Sequence, residues 1–178
     1  MELRDAFTRD GVLTGKAIEK GSKIGENEYL YHAHIILKNA DGRYLLQQRS
    51  LKARYYPGRW DVTGGEVQHG ETGAQAAARE AKEELGVEVD PGDCFFAGRQ
   101  VEDWDGQKSG LITDIFGARI DVDPETIALS AREVADAKLV PFAEFVETVP
   151  TTRTRTAAAF SRGSIGRFDL SGATPRLR

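Results

Sequence analysis

The sequence predicts an α+β domain, a sheet layered with few helices. Three observations carry that expectation. Short β-like runs bracket one strong helix signal between Thr72 and Leu85, a shorter helix signal follows late at Pro141, and Asp-Gly turns at Asp10-Gly11 and Asp41-Gly42 link neighbouring runs as hairpins. Residues 1–150 read as one domain, with an N-terminal hairpin inside residues 1–28. Residues 151–178 read as a basic tail, partly ordered or docked on that domain.

In chain order, Ala6 to Ile18 holds two short strands around Asp10-Gly11, and Lys20 to Glu28 is an exposed connection rich in Gly and charge. Tyr29 to Lys38 reads as a strand, Asp41-Gly42 as its turn and Arg43 to Arg49 as its hairpin partner. Ser50 to Arg59 is a loop carrying Lys52, Arg54, Tyr55, Tyr56 and Arg59. Trp60 to Thr63 is a short strand entering the Gly64-Gly65 turn.

The helix from Thr72 to Leu85 has explicit ends: Thr72 with Gln75 forms a capping box, and Gly86 supplies a left-handed stop. Ala74, Ala77, Ala78, Ala81 and Leu85 make a narrow stripe of mostly small residues, which implies close contact with a sheet. Beyond it, Cys94 to Val101 and Leu111 to Val122 read as an antiparallel pair, joined by a connection with Trp104 and an Asp105-Gly106 turn. Asp123 to Asp136 is loop-like with room for a short helix, Ala137 to Val140 is the last strand, and Pro141 starts a short helix to Val149.

The chain has 178 residues, 40% hydrophobic and 29% charged, the proportions of a globular protein with a real core. It contains no apolar run near the roughly 20 residues a membrane helix needs, and Met1-Glu2-Leu3-Arg4 opens no signal-peptide pattern. The single cysteine, Cys94, excludes a disulfide framework and reads as a core thiol. A cytoplasmic location is the expectation. A net charge of -4 argues against general nucleic-acid binding, although the tail is locally basic through Arg153, Arg155, Arg162, Arg167, Arg176 and Arg178.

The informative feature lies beside the alanine stripe. Glu80, Glu83 and Glu84 share a neighbouring face of the helix at i, i+3 and i+4. Like charges at that spacing cost about 0.2–0.5 kcal/mol per pair, so a merely solvated face would do better to alternate signs. Three convergent carboxylates suit a hard divalent cation, Mg2+ or Mn2+.

From Gly65 the sequence runs five residues to Glu71, seven to Arg79-Glu80, then Ala81, Lys82, Glu83-Glu84, Leu85, Gly86 and Val87. This resembles the Nudix box, G-x5-E-x7-R-E-U-x-E-E-x-G-U with U a bulky aliphatic residue. The one departure is Ala81 at a packing position. The resemblance covers about Ala6 to Phe145 and leaves the basic tail outside. It implies an α/β/α sandwich around a mixed sheet, and a hydrolase that cleaves a diphosphate linked to some other group.

By position in that box the resemblance implies Glu80, Glu83 and Glu84 as metal ligands, with the Gly65 carbonyl as a fourth and Glu71 acting through water or as support. Arg79 would orient the carboxylates. For the general base, Glu83 or Glu80 comes first and Glu133, on the late loop, second. Arg49, Lys52 and Arg54 are candidates for the substrate diphosphate, and Tyr55, Tyr56 and Trp104 for stacking on a base. The partner expected is a small diphosphate compound, and the N-terminal hairpin is a candidate dimer contact.

GRYLLQQRS followed by YYPGRWDVTGGEVQHGE looks like the branch related to isopentenyl-diphosphate isomerase. That reading lacks its chemistry here. Counted from Glu71, the isomerase cysteine and histidine fall at Gly64 and Glu66, and counted from Asp41-Gly42 the strand histidine falls at Leu30. His32 and His34 share one strand face as structural or pocket-lining groups, and His69 sits in the box loop as a solvated side chain. A module that binds a nucleotide without cleaving it is the other alternative, opposed by the complete acidic set.

Overall fold

The computed structural model describes residues 2–149 except 105, 107 and 124–126, so the basic tail lies outside the described residues. Nine strands form one mixed sheet: β1 Leu3–Phe7, β2 Leu13–Glu19, β3 Tyr29–Asn39, β4 Tyr44–Arg49, β5 Trp60–Asp61, β6 Thr63–Glu66, β7 Phe95–Asp103, β8 Gly110–Ile120 and β9 Val134–Val140. Two helices accompany it, α1 Gly73–Leu85 and α2 Phe142–Thr148, with a 3-10 turn at Pro91–Asp93. The two Asp-Gly turns form as expected, with Gly11 and Gly42 both in the left-handed region.

β3 organises the sheet. Along one edge it pairs in parallel with β8 over its full length, from Tyr29↔Gly110 to Asn39↔Ile120. Its other edge is shared in succession by β1 at Tyr29, β6 at His32–Ile35 and β4 at Lys38. The middle berth therefore belongs to β6, which lays Gly64 and Gly65 against His34 and Ala33. β7 continues the sheet antiparallel to β8, and β9 pairs with β4.

The two faces of β3 carry two cores, as strict alternation along a strand requires. Ala33, Ile35 and Leu37 face α1 with Ala76, Ala77, Ala81 and Leu85, while Ile36 joins Leu46, Ile115 and Phe145 under α2. A side chain such as Leu85 buried to this degree contributes about 1.5–3 kcal/mol. Helix on sheet on helix is the layered arrangement expected.

The ends of α1 follow its local chemistry. Thr72 and Gln75 cap each other reciprocally, and Gly86 (φ 67) returns its N–H to Ala81 and Lys82. Alanines let the helix axis approach the sheet, and Ala74, at the margin, is only partly buried. The last strand begins at Val134, three residues before its expected start, because Arg49 to Gln47 of β4 offer a ladder to Val134 through Ala137. Among the described residues of 123–136 there is a turn at 131–133 and no helix. Cys94 packs against the α1 core, and burial pushes its thiol up to about 11. No described helix is long and apolar enough to cross a membrane.

Candidate active site

Three carboxylates converge beside the β6 turn. One oxygen each from Glu80, Glu84 and Glu133 lies within 4.8 Å of the others. Glu80 and Glu84 are one turn apart on α1. Glu133 arrives from the turn before β9, which hydrogen bonds stitch to both neighbours: Ser130 N–H donates to the Glu84 carbonyl at 2.9 Å, and Ser50 N–H to the Glu133 carbonyl at 2.8 Å. Gly65 sits so close to Glu80 that a Cβ there would overlap its carboxylate.

Glu83 lies at the edge of this group, sharing Arg79 Nη1 with Glu80. Its side chain is 56% exposed and accepts from Arg79 Nη1 at 2.9 Å. Arg79 is the hub of the helix face, donating also to Glu80 at 2.7 Å, to both oxygens of Glu71 at 2.7 and 3.1 Å, and to the Glu66 carbonyl at 3.0 Å. Burial disfavours its charge, yet its bonds to Glu71 and Glu80 outweigh that and push the guanidinium further up. Burial likewise pushes Glu71 up, but the Arg79 bonds prevail and hold it low.

The clustered acids behave differently. Burial raises Glu80 despite Arg79, and the charges of Glu83 and Glu133 add to the rise. Glu84, 5% exposed, is pushed up to about 8 by burial and by the charge of Glu80. Buried like charges of this kind are costly unless an opposite charge joins them.

Gln47, absent from the sequence-based candidates, is part of this arrangement. It is 2% exposed, and its Nε2 donates to Glu84 Oε2 at 2.7 Å, the oxygen also approached by Gly64 N–H at 3.4 Å. Its own Oε1 is buried without a partner. Two donors on Oε2 fix the carboxylate plane of Glu84. Gln47→Leu is therefore expected to weaken Mn2+ binding about tenfold or more, read by electron paramagnetic resonance titration of free Mn2+. Unaltered affinity would show that Gln47 only fills space. The clue in the sequence was period-2 alternation, which puts Gln47 on the same face as core Leu45.

The loop from Glu66 to Thr72 is held from outside the helix as well. Arg4 and Asp5 of β1 are each 8% exposed, and Arg4 donates to Glu66 Oε1 at 2.6 Å. Asp5 meets His69 Nδ1 at 2.7 Å and accepts from Gly70 N–H at 3.0 Å, while His69 N–H donates to the Leu3 carbonyl at 3.0 Å. His69 is thus half-exposed but engaged, where solvation was the expectation.

A cleft of about 510 Å³ opens on the cluster, lined by Glu84 and Glu133 together with Arg49, Lys52, Arg54, Tyr55 and Arg132. Trp104 follows β7, with its N–H donating to the Ser109 carbonyl at 2.9 Å, and is not among the lining residues. A second cleft of similar volume, at the hairpin tip, is lined by Arg9, Tyr29 and Asp103, whose polar groups satisfy one another. No carboxylate cluster accompanies it among the described residues.

Comparison with known proteins agrees with this geometry. The profile of the NUDIX domain matches residues 28–162. An uncharacterized Nudix hydrolase of Listeria monocytogenes is 32% identical over 141 residues, covering 79% of this chain and 80% of that protein. An isopentenyl-diphosphate Delta-isomerase of Streptomyces avermitilis is 32% identical over 153 residues, covering 79% and 76%. The crystal structure of a MutT protein from Methanosarcina mazei superposes with a TM-score of 0.62 at 26% identity, over 78% of this chain and 94% of that one. A profile match across most of the chain, and hydrolase relatives aligned over most of their length, establish that it belongs to the Nudix family as one of its pyrophosphohydrolases.

Proposed function

We propose that the chain hydrolyses the diphosphate linkage of a nucleoside-diphosphate-type compound with Mg2+ or Mn2+. The observation that carries this reading is the convergence of Glu80, Glu84 and Glu133 at a cleft walled by Arg49, Lys52 and Arg54. The donor set is all oxygen, as hard cations require; burial raises both Glu80 and Glu84, and although Arg79 pairs with Glu80, no positive charge acts on Glu84. Glu80 and Glu84, with the Gly65 carbonyl, would hold the ion, Glu83 joining on release from Arg79 and Glu71 supporting them through it. Bound there, the ion would offset phosphate charge and favour attack by water.

The chain's own part is positioning. Arg49, Lys52 and Arg54 hold the phosphates, and Tyr55 covers the group attached to them. Glu133 lines the cleft and takes the proton of the attacking water; Glu83, tied to Arg79, is not among the lining residues. A cytoplasmic setting and pairing of two chains through the N-terminal hairpin complete the reading.

The Streptomyces relative gives isomerisation a claim, which the residues oppose. Gly64 stands where the reactive cysteine would, packed so closely on Ala33 and His34 that a Cβ would overlap them, and Glu66 is engaged by Arg4. The test is phosphate release, with coupled phosphatase, from a panel of nucleoside diphosphate compounds and dinucleotides with and without Mg2+ or Mn2+. Metal-dependent release is expected. Conversion of isopentenyl to dimethylallyl diphosphate without any release would overturn the reading.

A further inference from the structure

We propose that Arg4 and Asp5, on the first strand, are positioning residues of the active site, which act by placing the Arg79 hub that orients its carboxylates. This rests on the metal site proposed above and extends it to residues that precede the NUDIX profile match, which opens at residue 28. The chain between β6 and α1, residues 67–72, forms neither strand nor helix. With Glu66 it nevertheless supplies two of the hub's acceptors, the Glu66 carbonyl and the Glu71 carboxylate. Arg79 is therefore placed only as well as that stretch is placed. Two routes lead to it from β1. In the first, Arg4 donates from Nη2 to the Ser22 carbonyl at 2.7 Å and from Nη1 to Glu66 Oε1 at 2.6 Å, and the Glu66 carbonyl accepts from Arg79 Nη2 at 3.0 Å. In the second, Asp5 accepts from Gly70 N–H at 3.0 Å and meets His69 Nδ1 at 2.7 Å. That fixes the turn in which Gln68 N–H donates to Glu71 Oε2 at 3.0 Å, the oxygen that also accepts from Arg79 Nη2.

Stability alone does not account for Arg4. It is 8% exposed, and its Nε is buried without a hydrogen-bond partner. Buried ion pairs commonly hold a fold no better than apolar side chains of the same volume. What the pair does, and apolar contact cannot, is fix the direction of Glu66 and with it the carbonyl on which Arg79 rests. The guanidinium is one rigid plane, so a shift at Nη2 is passed to Nη1, which holds Glu80 at 2.7 Å. Glu80 in turn is one of the three clustered carboxylates. Groups that orient a ligand in this way commonly govern metal affinity without touching the ion.

The test sets Mn2+ affinity of the full chain, from electron paramagnetic resonance titration, beside its melting temperature in EDTA. Arg4→Met combined with Glu66→Met replaces the ion pair by apolar side chains. That double variant is expected to melt near the wild type yet bind Mn2+ about tenfold or more weaker. Arg4→Lys still reaches Glu66 and should recover most of the affinity. Asp5→Ala cuts the second route and should weaken Mn2+ binding by a similar factor. In EDTA, the Arg79 Nε–H signal followed by NMR should exchange with water faster in each weakened variant. A folded double variant with wild-type Mn2+ affinity would overturn the inference while leaving the metal site in place. So would an Asp5→Ala protein with wild-type affinity and an unmoved Arg79 signal. Wild-type protein that binds no Mn2+ would instead remove the metal reading, and the Arg79 signal alone would then decide whether β1 holds the hub.

Discussion

Glu84→Gln is expected to lower metal-dependent turnover about a hundredfold or more while making the metal-free protein more stable at pH 8. Both effects follow from the same burial. The native carboxyl is pushed up to about 8, well above an unfolded glutamate. Between about pH 4.5 and 8 the native state then holds a proton that the unfolded state has released, so stability falls as pH rises through that window. Above pH 8 the penalty is complete, on the order of a few kcal/mol. Gln has the same shape and still accepts from Gln47 Nε2 and Gly64 N–H, but it carries no charge to desolvate. Melting temperatures of both proteins in EDTA should coincide near pH 4.5 and diverge toward pH 8, the variant higher. A cation held by Glu84, as proposed, would displace its proton, so wild-type Mn2+ affinity is expected to rise with pH up to about 8 and then level off. Parallel melting curves at all pH values would show that Glu84 is not a buried charge.

Arg79→Ala is expected to have the second largest effect, and in the opposite sense for stability. The guanidinium satisfies Glu71, Glu80 and Glu83 and the Glu66 carbonyl at once. Its side chain is 20% exposed, so the loss belongs at the lower end for a broken buried pair, about 3 kcal/mol. For a chain of this size that is a fall of roughly 10 °C in Tm. Arg79→Lys should recover little, since one ammonium cannot serve both Glu71 oxygens and Glu80 in the same geometry. Glu71, no longer held low by Arg79, should titrate higher, which carboxyl-carbon NMR would read. A lysine variant with wild-type Tm and Mn2+ affinity would contradict this account of the hub.

What could be read before the structure was mostly local. The Thr72–Gln75 box and the Gly86 stop are decided within a few residues, and both form as the sequence indicates. Spacing alone put Glu80 and Glu84 one turn apart. It could not bring Glu133 to them, because that depends on Ser130 reaching the Glu84 carbonyl and Ser50 reaching Glu133, contacts across most of the domain. Nor could it show that Glu83, half-exposed, shares the Arg79 guanidinium with Glu80. Gln47 was hidden in a Gln-Gln pair, one buried against Glu84 and the other bonded to the Gly58 carbonyl on the opposite side. The parallel pairing of β3 with β8 was also out of reach, since nothing in either strand names its partner.

The contacts of Leu3, Arg4 and Asp5 with the loop ahead of α1 carry a practical consequence. The NUDIX profile match opens at residue 28, so anyone shortening the gene to the matched segment would cut away the clasp on that loop. An affinity tag fused ahead of Glu2 would sit next to the same clasp. Expression vectors for this enzyme should keep the leading hairpin whole and place any fusion at the opposite terminus.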